Sequence, residues 1–163
     1  MGADLYIESL YEENQRKWQL VFDAACKERD SHRQGTKIWE RHQRKVEKAH
    51  SNLMSEGYFR DPYNAESLFQ SLGLSWWRDV GALLENQEGP TLSGPDLLKF
   101  KTMVESATPA WEDDQAWAAH KDRNKLKEEG TITWKRYFIQ KRQELLDFIQ
   151  QAIDLGEPIY FSI

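Results

Sequence analysis

The segment Glu47-Lys48-Ala49-His50 places a carboxylate three residues before an imidazole. On a helix this spacing turns both groups to one side, the arrangement with which bundle proteins aim Glu and His at a metal. His42 lies upstream on the same stretch, so His42, Glu47 and His50 are the weak metal candidates of the chain. A di-metal carboxylate bundle needs the motif twice, with two further inward Glu. Here it occurs once. A satisfied core or boundary histidine is the plainer reading, and no metal or other cofactor is expected. A metal-dependent enzyme using these histidines stands as the alternative function.

The same stretch carries a second pattern. Projected at about 100° per residue, Lys37, Arg41, Arg44, Lys45 and Lys48 fall within an arc of about 100°. Trp39, His42, Val46, Ala49, His50 and Leu53 fall on the opposite side. Such a basic stripe could neutralise phosphates, the main term in non-specific nucleic-acid affinity. The chain nevertheless carries a net charge of −5 and has neither a zinc-finger spacing nor an RRM aromatic signature. A solvated face, or one paired with acidic groups, is favoured. Nucleic-acid binding is a second alternative function, and an acidic protein partner is the remaining reading of the stripe.

Tyr58-Phe59-Arg60-Asp61-Pro62-Tyr63-Asn64 reads as a turn, because Pro62 biases Asp61 away from the helical region. Tyr and Arg are interface hot-spot residues, so Tyr58, Arg60, Asp61 and Tyr63 are candidate partner contacts. The competing reading has Phe59 and one Tyr plugging the end of a bundle. Trp76 and Trp77 raise the same question. With Ser75 as cap and Trp76 at zero, Val80 falls at about 40°, Leu84 at 80°, Trp77 at 100° and Leu83 at −20°. Both indoles fit one apolar face as its two edges. The pair reads mainly as a packing wedge, with a part-exposed ring as the alternative, and Gly81 leaves room for a neighbouring helix.

There is no Gly-rich phosphate loop, no G-x-S-x-G elbow and no Cys-x-x-Cys. Acidic neighbours such as Glu12-Glu13 and Glu128-Glu129 diverge around a helix. Glu112-Asp113-Asp114 suits the first turn of a helix after Pro109, where negative charge is stabilising.

Several elements must position these residues. ADLYI and PIYFSI are short alternating strands, predicted to pair with each other or to dock on the helices. A Ser9/Glu12 capping box starts a helix running to about Gln34, with Trp18, Val21, Phe22 and Ala25 on its apolar side. Thr36 caps a second helix ending at Gly57. Short helices follow at 65–72 and 75–84. The segment from Asn86 to Pro95 is a loop, and helices at 95–106 and 109–129 precede a long final one after Gly130. That last helix has Trp134, Phe138, Leu145, Phe148, Ile149, Ala152 and Ile153 on one face. The fold class is mainly α: a helical bundle of three long helices plus short ones, with a minor β element from the N- and C-terminal strands.

With 163 residues, the chain is expected to form a single helical domain. Seven Trp, seven Phe and six Tyr exclude the aromatic-poor composition of disorder. Charge is uneven: residues 1–26 carry −3, 27–60 carry +4, 61–122 carry −7 and 123–163 carry +1. No apolar run approaches the roughly 18 residues that span a bilayer, and MGADLYIESL lacks the pattern of a signal peptide. The single Cys26 cannot form an internal disulfide, so a cytoplasmic setting is expected, without a membrane.

MGADLYI at the start, EGYFRDPYN and GLSWW in the middle, and a final helix followed by EPI resemble a group of small bacterial proteins. That group shares the MGADLYI opening, a YFRD-x-YN turn and the GLSWW segment. The resemblance leaves out residues 85–130 and implies no activity and no site residue. Pro62 stands where the group's turn has Ser, stiffening it here. The expected function is a non-enzymatic protein–protein interaction module. By size and charge it suits an accessory or inhibitor of a larger bacterial or phage system, with another protein as partner.

Overall fold

The two predicted terminal strands pair with each other. β1 (Asp4–Tyr6) lies antiparallel to β4 (Ile159–Ser162), with Leu5 opposite Phe161. The computed structural model describes residues 3–61, 68–85, 87, 89–112 and 134–162. Two more short strands complete a sheet of order β2-β1-β4-β3, in which β2 is Tyr58–Arg60 and β3 is Thr91–Leu92. Period-2 alternation places Ala3, Leu5, Phe59, Leu92, Ile159 and Phe161 in the core. The sequence reading has both β2 and β3 as turn or loop. Three-residue and two-residue strands are too short to show alternation, and they form because longer-range partners supply their hydrogen bonds.

The fold is mainly α, with this small antiparallel sheet. The long helices are α1 (Glu8–Asp30), α2 (Lys37–Leu53) and α6 (Trp134–Leu155). Between them lie α3 (Leu68–Ser71), a π-helical turn at Trp76–Val80 running into α4 (Gly81–Leu84), and α5 (Pro95–Ser106). A 3-10 turn at Ala110–Glu112 occupies the start of the predicted 109–129 helix, whose remaining residues lie outside the described ones. The predicted Asn64 cap, Thr131 and Thr133 also lie outside them.

The chain divides into two compact units: Ile7–Tyr58, and Met1–Tyr6 together with Phe59–Ile163. The larger unit holds the sheet, α5 and α6. α6 buries Phe138, Leu145, Phe148, Ile149 and Ala152, the face its periodicity predicts, and α5 buries Leu97, Phe100 and Val104. An aromatic cluster fills its centre. Phe69 stacks on Trp76 at 3.5 Å between ring centroids, and the Phe161 ring meets Phe100 edge-on at 5.5 Å.

The smaller unit is an antiparallel hairpin of α1 and α2. Thr36 caps α2 as expected, its side chain accepting from the Trp39 N–H. α1 differs from expectation. It starts at Glu8 with Ile7 as N-cap and no side-chain cap bond, so Ser9 lies inside the first turn. Its apolar stripe is only partly covered: Trp18, Phe22 and Ala25 are half-buried and Val21 is exposed, because α2 is the helix packed against it. Asn14 is the buried residue, 1% exposed, and its amide donates to the carbonyls of Asn52 and Leu53 at 2.7 and 2.9 Å. Gln15 adds a third bond to Leu53, so α1 side chains cap the C-terminus of α2.

α2 ends at Leu53, four residues before the predicted stop, and Gly57 has a different task. Its φ is +66°, its carbonyl accepts the Ile7 N–H at 3.0 Å, and a Cβ there would overlap the Tyr11 backbone nitrogen. Gly57→Ala is expected to cost on the order of 2 kcal/mol or more, from overlap and strained backbone together. Gly35 also has positive φ but open space around it, so Gly35→Ala is expected to cost about 1 kcal/mol. Urea unfolding of the two variants checks the difference.

Candidate functional site

Residues 58–61 run through strand β2 into a buried acid. Phe59 points into the core beside Phe148, with ring centroids 6.2 Å apart, and Arg60 points outward with its Nε 3.6 Å from Asp4 Oδ1. Alternation then turns Asp61 inward, where it is fully buried. One carboxylate oxygen accepts the Leu68 N–H at 2.8 Å and the other accepts the Trp76 indole N–H at 2.8 Å. Its own N–H donates to Ala3 at 2.9 Å. These bonds offset the desolvation of a carboxylate, which is costly when unpartnered.

This geometry corrects two of the six partner-contact candidates. Asp61 and Trp76 face each other inside the core and are unavailable to a partner. Tyr58 is half-buried, with its ring 6.2 Å from that of Tyr11. Arg60 is exposed, and Tyr63 lies outside the described residues.

Trp77 is the other correction. It is 60% exposed, whereas the projection makes it one edge of a shared apolar face. The indole bond to Asp61 and the stack on Phe69 make Trp76, with Val80, the centre of that face, and Trp77 then falls outside it. The Val80 N–H reaches back to Ser75 and the Gly81 N–H to Trp76, the five-residue bonds of a π turn. Ser75 does cap this turn, accepting from the Arg78 N–H at 3.3 Å, and Asp79 accepts the Ser75 N–H at 2.7 Å in return. Among the described residues Gly81 meets no neighbouring helix: a Cβ there would touch the Trp76 carbonyl, at 3.9 Å.

The metal candidates separate. His42 is buried, its ring stacked 4.9 Å from that of His32 and its Nδ1 3.3 Å from Glu28. His50 is exposed and sits against Phe22, with ring centroids 5.9 Å apart, and Glu47 is bonded to Gln43. Eight residues of helix put His42 and His50 about 12 Å apart along the axis, too far to share an ion. Among the described residues no group of three or more His, Cys, Asp or Glu is placed to hold a metal.

All five stripe cations, Lys37, Arg41, Arg44, Lys45 and Lys48, are exposed on α2. Lys45 is 3.3 Å from Glu28 on α1, which lowers the Glu28 carboxyl below the usual range. Arg41, Arg44 and Lys48 meet no carboxylate among the described residues.

Two further clusters resemble chemistry and do other work. Tyr137 and Lys141 are one helical turn apart, but burial first, then the carboxylates of Asp61 and Glu144, push the phenol pKa up. A phenol so raised stays protonated at neutral pH, and Lys141 is paired with Glu144 at 2.7 Å. An open groove of about 580 Å³ is lined by Trp111, Ile139, Arg142 and Leu146 among others. Its Arg142 donates to the carbonyls of Val104, Glu105 and Ala107, capping the C-terminus of α5. Neither the Asp61–Trp76 bond nor the Arg142 cap has a sequence signal, because the partners are far apart in the chain.

Comparison with protein-family models, with curated proteins and with solved structures finds no match for the chain. No helix among the described residues is long and apolar enough to cross a membrane.

Asp61→Asn and Trp76→Phe are each expected to lower stability by about 2 kcal/mol, with a coupling of about 1 kcal/mol or more in the double-mutant cycle. Chemical denaturation of the four proteins measures it. For Asp79, the Arg78 guanidinium first, then the Ser75 N–H, hold the carboxyl below its ordinary range, against the raising effect of burial. A depressed folded pKa means that the cap is intact above the unfolded value and is lost as pH falls through the folded one. Carboxyl NMR titration is expected to place Asp79 below an unstructured aspartate, and Arg78→Ala to raise it.

Proposed function

We propose that this protein is a non-enzymatic protein–protein interaction module in which Trp77 is a principal contact. The observation that carries the reading is the contrast between adjacent indoles: Trp76 is 5% exposed and Trp77 is 60% exposed. Tryptophan is the residue type most enriched at interface hot spots, and a solvent-facing indole has a desolvation gain to make on binding. Its mounting supports the reading as well. The π turn is held by the Ser75 and Asp79 cap and by the Trp76–Asp61 bond, so little backbone order remains to be lost on association. π turns of this kind are frequent at functional sites.

The partner in this reading is another protein. A free, half-buried Cys26 fits a reducing, cytoplasmic setting, and the role is that of an accessory or inhibitor in a larger bacterial or phage system. The resemblance to the MGADLYI-opening bacterial group belongs with this reading and adds no activity to it.

The test is affinity purification of the protein and of Trp77→Ala from producing cells, followed by titration against the partner recovered. The variant is expected to fold normally and to bind about 30-fold more weakly, the effect of a roughly 2 kcal/mol hot spot. Repeated recovery of the protein alone, or equal binding by Trp77→Ala, overturns the reading.

A further inference from the structure

One side of the α1–α2 hairpin is both cationic and apolar. The contacts between the helices fix which side is which: Glu28 meets His42 and Lys45 on one, while Arg29 meets Gln43 and Phe22 meets His50 on the other. Taking buried Asn14 as the α1 position that faces α2, Val21 lies about 20° toward the Glu28 side, Glu28 about 40° and Leu20 about 120°. On α2, taking buried Val46 as zero, Ile38 lies about 80° toward the same side, Lys45 about 100°, Arg41 about 140° and Lys48 about 160°. Leu20 is 78% exposed, Val21 48% and Ile38 55%. Ile38 lies near the connection and Leu20 and Val21 midway along α1, roughly 20 Å apart along the hairpin, with the α2 cations between them.

We propose that this side of the hairpin is a docking surface for an acidic amphipathic helix of another protein, about four turns long. The occupant follows from charge and shape. Arg41 and Lys48 meet no carboxylate among the described residues, and the acids on this side are Glu28, already paired with Lys45, and Glu13 toward the α1 N-terminus. A second copy of the chain would set the same cations against each other in a two-fold contact. Phosphates along a nucleic acid would leave Leu20, Val21 and Ile38 against charge, and three separated apolar residues make no continuous face for a membrane. A helix with acids along one flank of an apolar stripe satisfies both kinds of residue at once, with the stripe over Val21 and Ile38 and the acids toward Arg41 at the rim of α2. The inference rests on the reading of the protein as an interaction module but uses a surface separate in sequence from Trp77.

The experiment uses the full chain and two fluorescein-labelled synthetic peptides of about 18 residues and identical Leu, Glu and Ala composition. In one, Leu recurs at helical spacing on a single face; in the other the order is scrambled. The striped peptide is expected to bind at least tenfold more tightly than the scrambled one and to weaken with salt. Ile38→Glu and Arg41→Glu are each expected to reduce that binding at least tenfold, while Trp77→Ala leaves it unchanged. All of these substitutions are at solvent-exposed positions, and circular dichroism verifies that the helices persist. Equal binding of the two peptides overturns the proposal, as does no binding, or indifference to the charge reversal. Tighter binding to a single-stranded oligonucleotide or to phosphatidylglycerol vesicles than to the striped peptide overturns it as well. Failure here with Trp77-dependent partner binding intact removes this surface and leaves the module reading standing; loss of the Trp77 effect alone removes that reading instead.

Discussion

A carboxylate with no exposure to water sets the terms for the larger unit. Asp61 is desolvated on every side, so each of its oxygens needs a donor, and the donors come from two separate parts of the chain: the first residue of α3 and the indole of Trp76. Its backbone N–H ties the same residue to Ala3, next to β1. Removing one partner of a buried charge costs more than an ordinary hydrogen bond returns, because the charge stays behind unpaired. The end of β2, the start of α3 and the π turn are therefore held to one another, and the Phe69–Trp76–Phe100–Phe161 cluster packs around the indole that Asp61 has fixed. The outward face of Trp77 is a consequence of that choice of centre.

The hairpin is stabilised on a different principle. Two helices cannot bury more than one stripe each, and α1 leaves most of its aromatic positions half-covered. Side-chain capping makes up part of the difference: Asn14 and Gln15 satisfy the last carbonyls of α2, and Gly57 brings the returning chain against the first turn of α1. At the other end, Ser31 bonds back to Glu28 as α1 closes, and the histidine stack and Glu28–Lys45 pair follow. These bonds fix register without requiring much buried apolar area, which is why exposed Leu20 and Val21 coexist with an ordered helix pair.

What was legible in the sequence followed periodicity and local capping chemistry. The 3.6-residue stripe of α6 identified Phe138, Leu145, Phe148, Ile149 and Ala152 as core, and Thr36 and Ser75 were readable as caps because the N–H donors they accept from lie three residues on. That ADLYI and PIYFSI either pair or dock on the helices was readable, because isolated strands must find hydrogen-bond partners, and the structure shows the pairing. Two kinds of error share one cause. Tyr58–Arg60 and Thr91–Leu92 are strands only through distant neighbours, and the burial of Asp61 is matched by donors at Leu68 and Trp76. Neither is decided within one turn or one strand of chain. The candidate surfaces split the same way: the stripe of α2 is a local property and was visible, whereas the separation of Trp76 from Trp77 depends on a residue fifteen positions away.

Charge segregation acquires a physical meaning from these two modes of construction. In the larger unit, several ionic groups are committed internally: Arg142 to the end of α5, Lys141 to Glu144, Arg78 to Asp79. In the hairpin, Lys45 alone of the α2 stripe has an acid within ion-pair distance among the described residues, and the cations next to it are exposed. Exposed pairs add little to stability, so the stripe is not there to hold the hairpin together. Like charges along a helix repel one another weakly. In the proposed docking their effect is exerted outward, as a field that raises the encounter rate with an acidic partner and penalises contact with another basic surface. The exposed apolar residues on the same hairpin then add the short-range contact that charge by itself lacks, since long-range attraction selects the sign of a partner and only close packing selects its shape.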